Sequence, residues 1–195
     1  MPEPLPDAAP VADATDETLV ARALAGDVEA FGVLVGRYQQ AALRTAFAVG
    51  GSESEAEDVT QEAFVKAFRA LPGFREGAPL RPWLMRIVAN EARNRLRSGG
   101  RRQRLTTRAA AMTPLVSGSA EDAALGSVSA SHLRAALARL SDRDRTVIGL
   151  RYFAGLSEAE TAQALEVPSG TVKSRLSRAL DHLRAALPAD LGSAD

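Results

Sequence analysis

Residues 156–180 read LSEAETAQALEVPSGTVKSRLSRAL, two short helices and the turn between them. Ser157 followed by Glu160 is a capping box, so the first helix starts at Ser157 with its free amides satisfied. Ala159, Ala162 and Leu165 give that helix a small apolar face. After the Leu165-Glu166-Val167 turn, Pro168 and Ser169 restart the chain, and Val172 and Leu176, four apart, dock a second helix on the first. The other side of the second helix carries Thr171, Lys173, Ser174, Arg175, Ser177 and Arg178. Hydroxyls and cations at the front of a short second helix suit entry into a DNA major groove, where they reach base edges and phosphates. The same pattern also describes a helical hairpin with a solvated basic face, so the surrounding chain has to decide.

Working outward, residues 131–155 supply the helices that would support this pair. Leu133, Leu137 and Leu140 line one helix beginning at Ser131. Ser141 caps the next, which buries Val147, Ile148, Leu150 and Phe153 and ends at Gly155. Upstream, residues 98–130 lose any apolar stripe and are rich in Gly, Ser, Ala and Thr, with Pro114 in the middle, as a linker is. Fully extended at ~3.3 Å per residue, such a segment could reach roughly 100 Å and hold two domains on separate sites.

Ahead of the linker the pattern gives a four-helix unit over residues 15–97. Thr15 or Asp16 opens a first helix that ends at Gly26. Asp27 opens a second, with Phe31, Leu34, Val35, Tyr38 and Ala42 on one stripe, stopping at Gly50-Gly51. Ser54 with Glu57 makes a capping box for a third helix through Ala70, which Pro72-Gly73 breaks. Phe74 to Arg81 is a loop, and Pro82 fits the first turn of a fourth helix reaching Arg97 before Gly99-Gly100. Residues 1–14, with four prolines, read as a disordered leader, and 188–195 as a short tail.

Composition agrees with an all-α protein of two small helical domains. The 195 residues are 46% hydrophobic but only 5% aromatic, Ala is abundant and β-branched runs are few. There is no cysteine, which removes disulfides, thiol redox chemistry and Cys-ligated zinc. His132 and His182 stand far apart on helix surfaces with nothing to suggest a metal site or a triad, and no carboxylates cluster for acid/base work, so neither a cofactor nor a catalytic residue is expected. No segment approaches the ~18 to 20 apolar residues that span a bilayer, and the acidic start resembles no signal peptide, so no membrane insertion and a cytoplasmic location are expected.

The formal net charge of zero hides a segregation. Residues 1–30 hold seven acids against Arg22 alone, whereas residues 81–108 hold nine arginines against Glu91 alone. The second block is a polyanion-binding surface. On its helix, Trp83, Leu84, Ile87, Val88 and Leu96 form the buried side, and Arg86, Asn90, Arg93 and Arg97 lie along one outward line flanked by Asn94. Arg binds phosphates and stacks on bases, and Asn can bond a base edge, so this is a nucleic-acid track. Trp83 fits the core, and its ring could also border a pocket for an unpaired base. On the helix before it, Val59, Ala63, Phe64, Ala67, Phe68 and Leu71 face the core, opposite a polar stripe of Asp58, Gln61, Glu62, Val65 and Arg69.

Three stretches together, AEDVTQEAFVKAF (56–68), PWLMRIVANEARNRLR (82–97) and the 156–180 motif, resemble the sigma-70 family of bacterial transcription initiation factors, specifically its small extracytoplasmic function group. GDVEAF (26–31) and LSDRDRTVIGLRYFAGLS (140–157) extend the likeness over most of residues 15–187. The resemblance implies region 2 at 15–97 and region 4 at 131–187. It implies that Asp58, Gln61 and Glu62 grip core RNA polymerase, and that Arg86, Asn90, Arg93, Asn94 and Arg97 recognise and melt the −10 promoter element. It further implies that Thr171, Lys173, Ser174, Arg175, Ser177 and Arg178 read the −35 element, with Arg178 and Ser174 as base contacts. Position 94 carries Asn where many relatives carry Asp. An anti-sigma factor is the regulator the group leads one to expect.

The rival reading is a stand-alone helix-turn-helix regulator that binds operator DNA as a dimer. Such a protein needs a receiver or ligand pocket in its N-terminal half, and no phosphoacceptor pattern or apolar cavity lining is visible there. The expected function is therefore a promoter-specificity subunit of RNA polymerase rather than an enzyme.

Overall fold

Thr15 and Asp27 open the first two helices of the computed structural model, which describes residues 13–75, 77–105 and 122–188. Thr15 accepts the Thr18 N–H at 3.3 Å and starts α1 (Asp16–Leu24), and Asp27 accepts the Ala30 N–H at 3.1 Å and starts α2 (Val28–Gly50). Gly51, at φ 77°, turns the chain in the left-handed conformation that ends α2.

That turn moves the next cap. Ser52 lands in the extended conformation (φ −119°, ψ 122°) that an N-cap requires, and its hydroxyl accepts the Glu55 N–H at 3.3 Å. Helix α3 (Glu53–Ala70) therefore starts ahead of the expected Ser54–Glu57 box, and Ser54 lies inside its first turn. A 3₁₀ turn, Leu71–Gly73, closes α3.

Helix α4 (Leu80–Leu105) is longer than its sequence suggests at both ends. Pro82 sits in the first turn, where its missing N–H leaves no bond unmade. Gly99-Gly100 does not stop the helix at Arg97. A glycine inside a helix costs only about 1 kcal/mol relative to alanine, and the Arg and Gln that follow are good helix formers. Helix α5 (Asp122–Arg139) likewise begins before Ser131, so both margins of the expected linker are helical, while 106–121 lie outside the described residues. Most of the leader (1–12) and of the tail (189–195) also lie outside them.

The C-terminal half continues with α6 (Asp142–Ile148), capped by Ser141, and then a π-helical turn, Gly149–Phe153. Gly155 (φ 66°) leads into α7 (Glu158–Leu165) and α8 (Ser169–Ala186). No strand occurs among the described residues, and the chain is all-α as composition requires.

Three apolar clusters hold these helices. Leu19, Leu34 and Leu71 pack α1, α2 and the 3₁₀ turn together, and Leu137, Val147, Ile148, Val172 and Ala179 form the core of α5–α8. The largest cluster, built on Ala42, Ala46, Val49, Val59, Ala63, Met85 and Val88 of α2–α4, does not stop at the boundary between the halves. Leu150, Ala154, Leu156 and Ala164 from the C-terminal half belong to it. A Cβ added at Gly149 would stand 2.9 Å from Val49 Cγ2, a separation only glycine permits. Polar contacts line the same seam: Arg81 donates to the Ala154 carbonyl at 2.6 Å, Arg97 pairs with Asp142 at 3.4 Å, and Arg86 pairs with Glu166. Arg134 lies over the Phe47 ring at 5.7 Å. The two units are thus closed on one another in this structure.

Candidate nucleic-acid interface

The helix-turn-helix forms from local bonds. Ser157 Oγ accepts the Glu160 N–H at 3.2 Å while Glu160 Oε2 accepts the Ser157 N–H at 2.7 Å, which completes the capping box. The backbone bond from Ser157 is the main reason that the Glu160 carboxyl is held below its usual range. Glu166, at φ 54°, makes the tight left-handed turn between the helices. Val172 and Ala179 bury fully and Leu176 partly, fixing how α8 docks. The apolar face of α7 differs from expectation. Ala159 is exposed, and Thr161, Ala162 and Ala164 are buried, because α7 packs against both α8 and α4 and so needs contacts on two sides.

On the outward side of α8, Lys173, Ser174, Ser177 and Arg178 are exposed, and Thr171 and Arg175 are half-buried. Ser174 donates to the Thr171 carbonyl at 3.2 Å and Arg178 Nε donates to the Ser174 carbonyl at 3.1 Å. These two side chains are steadied by their own helix.

The arginine track of α4 falls into two sets. Asn90, Asn94 and Arg97 are exposed, whereas Arg86 and Arg93 are half-buried at the seam. Arg86 meets Glu166 of the helix-turn-helix turn, and Arg93 donates to the Asn90 side-chain oxygen. Burial first, then the neighbouring Arg97, lowers the Arg93 pKa from its ordinary value. Of the expected buried side of α4, Leu84 and Val88 are buried, with Met85, Ala89 and Ala92 beside them, and Trp83, Ile87 and Leu96 are half-buried.

Both roles considered for Trp83 are compatible with its position. Its ring lies 4.9 Å from that of Phe74 at 60°, and it packs on two of the apolar clusters. It also lines an open cavity of about 720 Å³ with Phe74, Pro79, Arg86, Gln163 and Glu166.

On α3, Asp58, Gln61 and Glu62 are exposed beside Val65, which is 49% exposed. Phe68, assigned to the core by periodicity, is 43% exposed and stands edge-on to Phe31 at 4.9 Å. Arg95 reaches across from α4 to Glu55, Asp58 and Glu62 at 3.3, 3.1 and 3.5 Å. In the sequence Arg95 is one of the nine arginines of the basic block. Its one distinguishing trace is its offset of two positions from both Arg93 and Arg97, which turns it to another side of the helix.

Among the described residues no group of three or more His, Cys, Asp or Glu could hold a metal ion, and no helix is long and apolar enough to cross a membrane.

Two family profiles match the two units in chain order. The family profile "Sigma-70 region 2" matches residues 34–102 and "Sigma-70, region 4" matches residues 132–183. The RNA polymerase sigma-H factor of Pseudomonas aeruginosa is 36% identical over 180 residues, covering 88% of this chain and 93% of that protein. The ECF RNA polymerase sigma-E factor of Escherichia coli is 37% identical over 175 residues, covering 85% and 90%. Two solved structures are similar in fold. CnrH in complex with the cytosolic domain of CnrY matches with a TM-score of 0.63 at 32% identity, over 87% of this chain and 95% of that one. The sigma factor RpoE of Bartonella quintana, in complex with the anti-sigma factor NepR, matches with a TM-score of 0.58 at 27% identity, over 78% and 95%.

Proposed function

The chain belongs to the extracytoplasmic function group of the sigma-70 family, the promoter-specificity subunits of bacterial RNA polymerase, and on that premise we propose how its surfaces divide the work. Asp58, Gln61 and Glu62 contact core polymerase, with Val65 as the apolar centre of the patch. Arg86, Asn90, Arg93, Asn94 and Arg97 track the −10 element. Thr171, Lys173, Ser174, Arg175, Ser177 and Arg178 read the −35 element from the major groove, Arg178 and Ser174 through base edges.

The cavity beside Phe74 and Trp83 is the observation that supports this reading most directly. Two aromatic rings and the Arg86 guanidinium surround a space open to solvent, which suits a base taken out of its stack. Unstacking costs a few kcal/mol, and base–aromatic contact returns about 1 to 3 kcal/mol. A cation beside the ring then meets the flanking phosphate.

The protein acts as an initiation factor in the cytoplasm and performs no catalysis itself. An anti-sigma factor is its regulatory partner, a reading supported by a structural relative that was solved in complex with one. Among the described residues, nothing in the N-terminal unit favours the operator-binding regulator.

Reconstituted transcription tests the proposal. The chain together with core polymerase starts transcripts at a cognate promoter, while neither does so alone. Asp58→Arg lowers affinity for core and shifts the thermal transition of the free chain only slightly, since the Arg95 pair it removes is exposed. Tight, specific duplex binding by the free chain, or normal core affinity in Asp58→Arg, contradicts these assignments.

A further inference from the structure

Closing the two units creates a second concavity that neither possesses alone. It holds about 310 Å³ between α4, α6 and the α7–α8 turn, and Arg86, Asn90, Arg93, Arg143, Glu166 and Arg175 stand on its walls. Four guanidinium groups from three helices therefore face a single carboxylate. Glu166 is taken by Arg86, and Arg93 is bonded to the neutral Asn90 side chain. Among the described residues no carboxylate lies within ion-pair distance of Arg93, Arg143 or Arg175, so the walls carry a surplus of three positive charges.

Such crowding opposes the closed arrangement, since like charges repel most where protein displaces water. A bound anion would reverse the sign of that contribution. Planar guanidinium forks match phosphate oxygens, and a surplus of three calls for a multivalent anion rather than a carboxylate. The volume lies at the small end of ligand pockets, enough for a short phosphate chain and far too little for a duplex.

We propose that the seam cavity binds an oligophosphate chain, free or carried by a nucleoside, and that this anion clamps the two units closed. Because the four arginines converge only when the units are closed, the ligand binds that state and shifts the population toward it. Arg86, Arg93 and Arg175 are then withheld from promoter DNA. This last consequence rests on the promoter-reading assignments; the binding itself does not.

The full chain supplies the test. It contains no cysteine, so Val28→Cys and Arg184→Cys, on exposed positions of the two units, allow energy transfer between paired dyes. Sodium tripolyphosphate, a nucleoside triphosphate and orthophosphate are titrated at constant ionic strength. Tripolyphosphate is expected to saturate a change toward the transfer efficiency of the closed arrangement and to raise the thermal transition, with orthophosphate much weaker. Arg143→Gln, an exposed position outside the promoter-reading set, should weaken binding about tenfold, the effect of one charge-assisted bond, and leave affinity for core polymerase, measured without nucleotide, unchanged. Equal binding of tripolyphosphate and the nucleotide means that the phosphate chain alone is recognised, and tighter nucleotide binding means that the nucleoside adds contacts; either supports the site. Absence of saturable binding, unchanged affinity in Arg143→Gln, or a shift toward separated units overturns it. Tripolyphosphate should also weaken promoter binding by the holoenzyme at constant ionic strength; unchanged promoter binding, with the saturable anion binding intact, counts instead against the promoter-reading assignments.

Discussion

Arg178 spends its Nε donor on the Ser174 carbonyl, which fixes the root of the guanidinium and leaves its other donors for a partner. On the proposed reading, Arg178→Ala costs about 1 to 3 kcal/mol at one base pair of the −35 element, seen as relaxed preference at that position in competition binding of the holoenzyme. A uniform loss over all sequences would mean a phosphate contact only. Glu160 is the second residue whose chemistry is readable. Its folded-state pKa is depressed, chiefly by the Ser157 N–H, so its stabilising contribution is full above the ordinary glutamate value and is lost as pH falls through the lower folded value. Glu160→Ala should destabilise the chain by about 0.5 to 2 kcal/mol at neutral pH, a loss typical of helix caps. The gap from the parent, followed by denaturant unfolding, should close at acid pH.

Helix ends show what one dimension of sequence can and cannot disclose. Ser157 with Glu160 is legible because the cap bonds residues three apart, and the structure forms both of its bonds. Ser54 with Glu57 has the same spelling and fails, because the left-handed turn at Gly51 delivers Ser52 to the capping conformation first. Ser52→Ala should therefore cost about 1 kcal/mol in chemical denaturation and Ser54→Ala only a few tenths. Equal effects would return the cap to Ser54. The Gly99-Gly100 pair misleads in the opposite direction. A glycine ends a helix only where the chain adopts positive φ, and the sequence does not say which conformation Gly99 and Gly100 take.

At the scale of the molecule, the face assignments were largely readable and the seam was not. Periodicity separates Val59 and Ala63 from Asp58 and Glu62, but it cannot tell a face that meets water from one that meets another unit. Arg86 and Arg93 fall on an outward line by periodicity and are half-buried for that reason. Gly149 reports the same limit, since its need for a missing side chain comes from Val49, far away in sequence. Gly149→Ala should overpack the seam by about 1 to 3 kcal/mol. Small-angle scattering should then show a larger radius of gyration, with each unit keeping its helical circular dichroism signal. An unchanged radius would mean that Val49 yields and the seam tolerates the methyl group. Arg95 carries a different consequence. Because it already sits among Glu55, Asp58 and Glu62, this surface holds fewer condensed cations than bare carboxylates would, and fewer are released when polymerase docks. Affinity for core should therefore decline less steeply with ionic strength than the number of acids on α3 suggests, and more steeply once Arg95 is replaced.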